Sequence, residues 1–431
     1  MFTDDAQPPA PLTADFRRPG LLVVASEWFS AHGGLSTLNR DLCVGLAAAD
    51  ASVVCLVPHA AKEEREHAAL HGVTLISARP APGVSARQTL ARRPALPPGV
   101  TIDAVLGHGR VTGPEARILT EDHFPSAVRL QLVHIAPDEL ECWRSDRSDD
   151  LGQRSEARTR LELELGVDAA RVIAVGPRLH ELLCRDLSVY PGVPRPARLD
   201  PGFDLPTHLP RVPPPGGPSQ ILLMGRLEDY EIKGVDLAAR ALSYALKLRG
   251  GDEPEVELLV RGAPPGESAR LRDRILGWAP VTGLRVTPRP FTTDAEHLRQ
   301  DLLRASLVLM PSRAEGFGLV GAEAITAGAP TLVSGRSGLG SLLHEILPAD
   351  EARRVVVPVR LRPVEDIQRW GHHIAAVLND PAAAFATAAA VRRRAAAKRT
   401  WSMAAHEILR VIRESGRSRE AAPDDADGRL A

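Results

Sequence analysis

Long apolar runs are missing. No stretch of the 431 residues approaches the ~18 uninterrupted apolar residues of a membrane span, and Met1 to Gly20 is Asp- and Pro-rich rather than basic and then apolar. An integral membrane segment is not expected, and a cytoplasmic location is. A charge excess is missing too: 53 Lys+Arg face 54 Asp+Glu, a net charge of −1. A nucleic-acid or membrane-surface partner would need a basic face to meet phosphates, so neither is expected. The four cysteines, Cys43, Cys55, Cys142 and Cys184, form no C-x-x-C pair, which argues against a zinc site or a disulfide framework. Lysine is scarcest among the charged residues. Only Lys62, Lys233, Lys247 and Lys398 occur, so a lysine inside a motif stands out.

The hydrophobic fraction, 44%, is enough for real cores and excludes disorder as the main state. Short apolar runs alternate with helix-period stretches: Leu21 to Ser26, Ser52 to Val57, Val73 to Ala78, Asp103 to His108, Arg129 to His134 and Val172 to Val175. They resume with Ile221 to Met224, Val256 to Arg261, Leu284 to Arg289, Leu307 to Ser312, Thr331 to Ser334 and Arg354 to Val359. Runs apolar on both faces are what helix-covered parallel sheets require, so the fold class is α/β, twice over. Between the two sets lies LPRVPPPGGP, Leu209 to Pro218, which can form neither helix nor central strand. The expected organisation is a tail over 1–18, a Rossmann-like domain over 19–203, a hinge over 204–219, and a second Rossmann-like domain over 220–380. C-terminal helices over 381–414 cross back to the first domain, and a second disordered tail covers 415–431.

Three strand-to-helix junctions carry the chemistry. The first strand leads to Gly33 and Gly34, which let backbone amides approach an anion at a helix N-terminus. The seventh apolar run ends in Gly225 and Arg226, and Lys233 follows just before a helix beginning near Val235; a guanidinium fork and a compact ammonium together suit a diphosphate. The third is PSRAEGFGLVGAEA. Here Glu315 lies in a glycine-flanked loop and Glu323 one or two turns into a helix, where both are expected to face one cavity and meet vicinal hydroxyls, while the amides of Phe317, Gly318 and Leu319 suit a phosphate.

The Glu-x7-Glu run, GRL followed by KGVD, and HGGLST together resemble the motifs of retaining GT-B glycosyltransferases of the family-4 type, and the similarity covers about Leu21 to Ile412. The resemblance implies GT-B architecture and a nucleoside-diphosphate sugar as donor, a UDP-sugar being the first guess, with no tightly bound cofactor and no metal. It implies Arg226 and Lys233 on the donor diphosphate, Glu323 on the ribose and Glu315 on the transferred sugar, with Gly316 and the amides of Phe317, Gly318 and Leu319 beside them. Gly33 and Gly34 would face the diphosphate or the acceptor. His134 would contact the donor sugar near the reacting carbon, and His108 is a weaker candidate. Arg289 to Phe291 lie where the base would be held, and His134, Arg226, Lys233 and Glu315 form the catalytic set. Ile135, where many relatives carry a small hydroxyl residue, and Ser334 to Gly340 depart from the pattern. The domains are expected to close on the donor. The alternatives are a nucleotide-sugar sensor without transferase activity, or another GT-B enzyme such as an epimerase.

Overall fold

The computed structural model describes residues 17–29, 34–141, 151–204, 211–214, 216–250 and 255–420. Two all-parallel sheets carry the chain. The first has seven strands: β1 (Gly20–Val24), β2 (Ser52–Val57), β3 (Val73–Ser77), β4 (Ala104–His108), β5 (Val128–Val133), β6 (Arg171–Val175) and β7 (Ala197–Leu199). The second has six: β8 (Ser219–Met224), β9 (Val256–Ala263), β10 (Leu284–Pro290), β11 (Leu307–Met310), β12 (Thr331–Ser334) and β13 (Val356–Val357). Central strands such as β1 and β5 are buried at every position, as helices on both faces of a parallel sheet require.

The strand orders decide where ligands go. The first sheet runs β3-β2-β1-β4-β5-β6-β7 and the second β10-β9-β8-β11-β12-β13, so each reverses direction once, between β1 and β4 and between β8 and β11. At such a reversal the connections leave on opposite faces and open a crevice at the carboxyl ends of the two strands. The two crevices face each other, and one apolar cluster joins Leu21, Leu106 and Val175 of the first sheet to Met310, Phe317 and Leu339 of the second. The last helix, Trp401–Glu420, crosses back. Ala405, Ile408 and Ile412 are buried on its inner face, and the Arg399 carbonyl just before it accepts from the Phe203 N–H at 3.0 Å.

Three expectations shift. The segment expected to be a strand over Arg354 to Val359 yields only Val356–Val357, because the helix Ala349–Val355 consumes its first residues. The three-residue strand β7 was not expected at all, being too short to show a periodicity. The final helix continues past Ile412 to Glu420; Ser415, three positions on, is still buried, so the packed face outlasts the apolar pattern. Residues 1–16 and 421–431 of the expected tails, 205–210 and 215 of the hinge, and Cys142 lie outside the described residues. No single helix among the described residues is long and apolar enough to cross a membrane.

Candidate active site between the two sheets

On the second sheet the site is built where β8 and β11 end side by side. Gly234 makes the turn into the helix Val235–Arg249; its φ of 67° is left-handed, and a Cβ there would lie 2.2 Å from the Pro311 carbonyl oxygen at the end of β11. Only glycine fits both demands. The tight turn carries the Lys233 side chain across Gly225 and delivers Nζ to Glu315 Oε2 at 2.6 Å, where Ser312 Oγ also donates at 3.1 Å. Both members of this ion pair are largely withdrawn from water. Arg226, at the same strand edge, is exposed. The loop is braced from below by Arg313, which grips Asp236 with two bonds of 2.7 Å and donates to the Glu231 carbonyl at 2.6 Å. Sequence reasoning had passed over Arg313; an arginine between two conspicuous motif residues, with Asp236 in the first turn of the partner helix, was the available signal.

The two glutamates part company. Glu315 lines a cleft of only about 10 Å³ with Glu139 and Arg178 of the first domain, room for about one water. Glu323 lines a different cavity of about 1100 Å³ with Thr37, Asp41, Leu319 and Trp401. The expectation that both carboxylates face one cavity is therefore corrected. The helix Leu319–Thr326 begins between them, so Glu323 projects from the side of that helix while Glu315 stays in the loop, paired to Ser337 in an isolated β-bridge. Burial and then the Asp41 carboxylate push the Glu323 pKa up to about 7, with Arg40 opposing. Asp41 is raised too, chiefly by burial. Phe317 buries its ring in the apolar cluster, so only its backbone remains for a ligand. Gly318 caps the helix whose first amides, by construction, lack intrahelical partners.

Arg289, expected near a base, donates from Nη1 to Asp301 Oδ1 at 3.0 Å, an aspartate already held by buried Arg261 at 2.6 Å. Phe291 beside it is exposed. Of the departures, Arg336 donates from Nε to the Arg313 carbonyl at 2.6 Å and Ser337 caps the helix Gly338–Ile346, so the altered segment buttresses the glutamate loop.

The first sheet contributes histidines. His108 ends β4 and His134 follows β5, and their rings stack with His108 Nδ1 and His134 Nε2 2.9 Å apart. His108 Nε2 lies 2.9 Å from Asn39 Oδ1 on the helix Gly34–Ala48. Thr112 ties the crevice together, accepting from the His108 N–H at 2.9 Å and donating to the Val24 carbonyl at 2.6 Å. Burial lowers the His134 pKa to about 4 and takes that of His108 well below its usual value, with the second ring adding to the effect. Gly34 opens the helix against Leu319, and Gly33 lies outside the described residues. At the seam the chains nearly touch: a Cβ on Gly316 would sit 2.1 Å from the His134 carbonyl oxygen. The domains thus already meet beside Glu315. Among the described residues no cluster of three or more His, Cys, Asp or Glu side chains is placed to hold a metal.

The chain is similar to the D-inositol 3-phosphate glycosyltransferase of Jonesia denitrificans, 30% identical over 194 residues (44% of this chain, 42% of that protein). With the corresponding enzyme 1 of Catenulispora acidiphila it shares 31% over 207 residues, 46% of each chain. The matches thus span about half the length of these curated relatives. Among solved structures it is similar to sucrose-phosphate synthase from Thermosynechococcus elongatus, with a TM-score of 0.64 at 20% identity, covering 93% of this chain and 100% of that one. It is also similar to Anabaena HepE in complex with UDP and glucose, with a TM-score of 0.60 at 14% identity, covering 92% and 100%. These likenesses show the GT-B fold. The family model described as "Family 4 Glycosyltransferase in conflict systems" matches residues 22–408, nearly the whole described chain, and this protein, with its facing crevices and its glutamate loop, belongs to that family.

Proposed function

We propose that the protein transfers a sugar from a nucleoside-diphosphate sugar to an acceptor hydroxyl with retention of anomeric configuration and without a metal. The observation that carries this reading is the convergence of Arg226, Lys233, Glu315 and the amide end of the helix Leu319–Thr326 at the β8/β11 crevice. Cationic groups at a strand edge beside a helix N-terminus suit a diphosphate, and they would stabilise its charge as it departs. Glu315 is engaged by both Lys233 and Ser312, which supports a sugar-holding role rather than that of a free nucleophile. The departing diphosphate oxygen then takes the proton of the acceptor. Glu323 would accept from ribose hydroxyls, which needs its cavity to become continuous with the Glu315 cleft once the donor is bound. UDP-glucose is the donor to test first, since a structural neighbour was solved with UDP and glucose.

The cleft that Glu315 shares with Glu139 and Arg178 holds about 10 Å³, and we infer that it widens for the donor sugar by parting at the Gly316 to His134 seam and closing again. The expected closure therefore begins from a structure already closed at this point. A thermal-shift series with UDP-glucose, GDP-mannose and the free nucleotides tests the donor assignment, because a ligand binding only the folded state raises Tm by mass action. No shift with any of them would remove it.

A further inference from the structure

The reading above uses His134 alone, yet its imidazole is the end of a buried chain. Asn39 and His108 are both fully buried, and the order Asn39 Oδ1, His108 Nε2, His108 Nδ1, His134 Nε2 closes through two contacts of 2.9 Å. The Asn39 amide is itself held on both sides. Its Nδ2 donates to Cys55 Sγ at 3.7 Å, and Cys43 Sγ donates to Oδ1 at 3.8 Å, both thiols being buried.

With Asn39 Oδ1 facing His108 and Nδ2 facing Cys55, hydrogen-bond arithmetic leaves one neutral arrangement. An amide oxygen can only accept, so the proton of His108 sits on Nε2 and its Nδ1 carries a lone pair. A lone pair on His108 Nδ1 needs a donor opposite, so the proton of His134 sits on Nε2. Nδ1 of His134 is left as an acceptor. We infer that Asn39 and His108 are positioning residues for transfer, setting the tautomer of His134 so that Nδ1 accepts a hydrogen bond from a hydroxyl of the donor sugar. The inference rests on the proposed transferase reading for its function, but not for its structure.

Burial supports the neutral state of both rings, since each is pushed below its usual pKa. The arrangement also explains why an asparagine, poor in a helix interior, occupies the inner face of Gly34–Ala48. An apolar residue there would leave His108 Nε2–H buried without a partner.

The test is long-range 1H–15N spectroscopy on the full-length protein labelled with 15N-histidine, the two imidazoles being assigned from His108→Gln and His134→Gln spectra. The expected result at pH 7 is Nε2–H with a bare Nδ1 for both rings. A protonated Nδ1 on either ring overturns the inference without touching the transferase reading. Asn39→Asp is the functional arm. A carboxylate opposite Nε2 favours imidazolium on His108, which then donates from Nδ1 and drives the proton of His134 to its own Nδ1. UDP release from UDP-glucose should fall about tenfold, the worth of one neutral hydrogen bond, with UDP affinity unchanged. A shifted tautomer with unchanged turnover overturns the positioning role. Should Asn39→Asp fail to fold, the wild-type spectra still decide the tautomer. If wild-type protein releases no UDP from any donor, the transferase reading fails, and the spectra decide the array alone.

Discussion

The two walls of the cleft solve the problem of buried polarity in opposite ways. The histidine array of the first-domain wall is neutral: Asn39, His108 and His134 satisfy one another by passing hydrogen bonds along a line, and burial lowers the pKa of both rings, while the charges on this side, Glu139 with Arg178, are paired apart from it. The second-domain wall is charged. Lys233 meets Glu315 and Arg313 meets Asp236, each pair only partly exposed, while Arg226 stands in water at the same edge. A charged pair kept at a strand edge can exchange partners with an incoming anion, whereas a neutral array can only orient a dipole. The contrast assigns charge stabilisation to one wall and orientation to the other, and each prediction below is a way to break or sharpen that division.

The largest effect is expected at Lys233. Lys233→Ala should lower turnover of UDP-glucose about a hundredfold or more, because it removes a charge beside the departing diphosphate, and Arg226→Ala should follow the same course. Thermal denaturation should show the fold intact in both, and wild-type rates would place the charge stabilisation elsewhere.

Next comes the seam where the walls touch. In Gly316→Ala the new methyl would meet the His134 carbonyl at 2.1 Å, so one backbone must move. Overpacking of this kind costs about 1–3 kcal/mol, measurable as a lower denaturant midpoint at unchanged m-value. An unchanged midpoint would mean that the domains do not rest against each other in solution.

Glu323 separates nucleotide from sugar. Glu323→Gln should weaken UDP and UDP-glucose alike, by about tenfold, whereas Glu315→Gln should weaken only UDP-glucose; calorimetry giving the reverse pattern would exchange their roles. Glu323 also sets a pH slope. Its pKa of about 7 in the folded protein lies above the ordinary 4.5, so the folded state binds the extra proton between these values. Stability therefore falls as pH rises from 4.5 towards 7, and Glu323→Gln should remove that component of the slope.

An opposite slope of comparable size belongs to the histidine wall. The pKa of His134 lies near 4 in the folded protein against 6.5 ordinarily, so the unfolded chain binds more protons between these values. Its contribution is full above 6.5 and is lost as pH falls towards 4. His134→Gln should flatten this limb in denaturant titrations across that range, and an unchanged limb would mean that the imidazole is solvated.

How much of this was legible beforehand follows from range. Twelve of the strands announced themselves because a buried parallel strand must be apolar on both faces, and only the three residues of β7 were too few to show it. The glutamate loop and Lys233 were legible because a ligand site at a strand edge leaves a dense local signature of glycine and charge. Arg313, Asn39 and the separation of Glu315 from Glu323 were not, since each depends on what a distant segment brings alongside. His108 is the clearest case: read singly it is a histidine at a strand end, and only the 2.9 Å approach of His134, 26 residues later, gives it a partner.

The sequence by itself determined two helix-covered parallel sheets, the crossing helix and the residue types at three strand-to-helix junctions, because periodicity, turn chemistry and capping act over a few residues. Only the tertiary structure decided which of those residues meet. Pairing Lys233 with Glu315, linking Asn39 through His108 to His134 and setting Glu323 against Asp41 all join segments far apart in the chain. Such pairings are set by strand order and domain packing, and no local pattern encodes them.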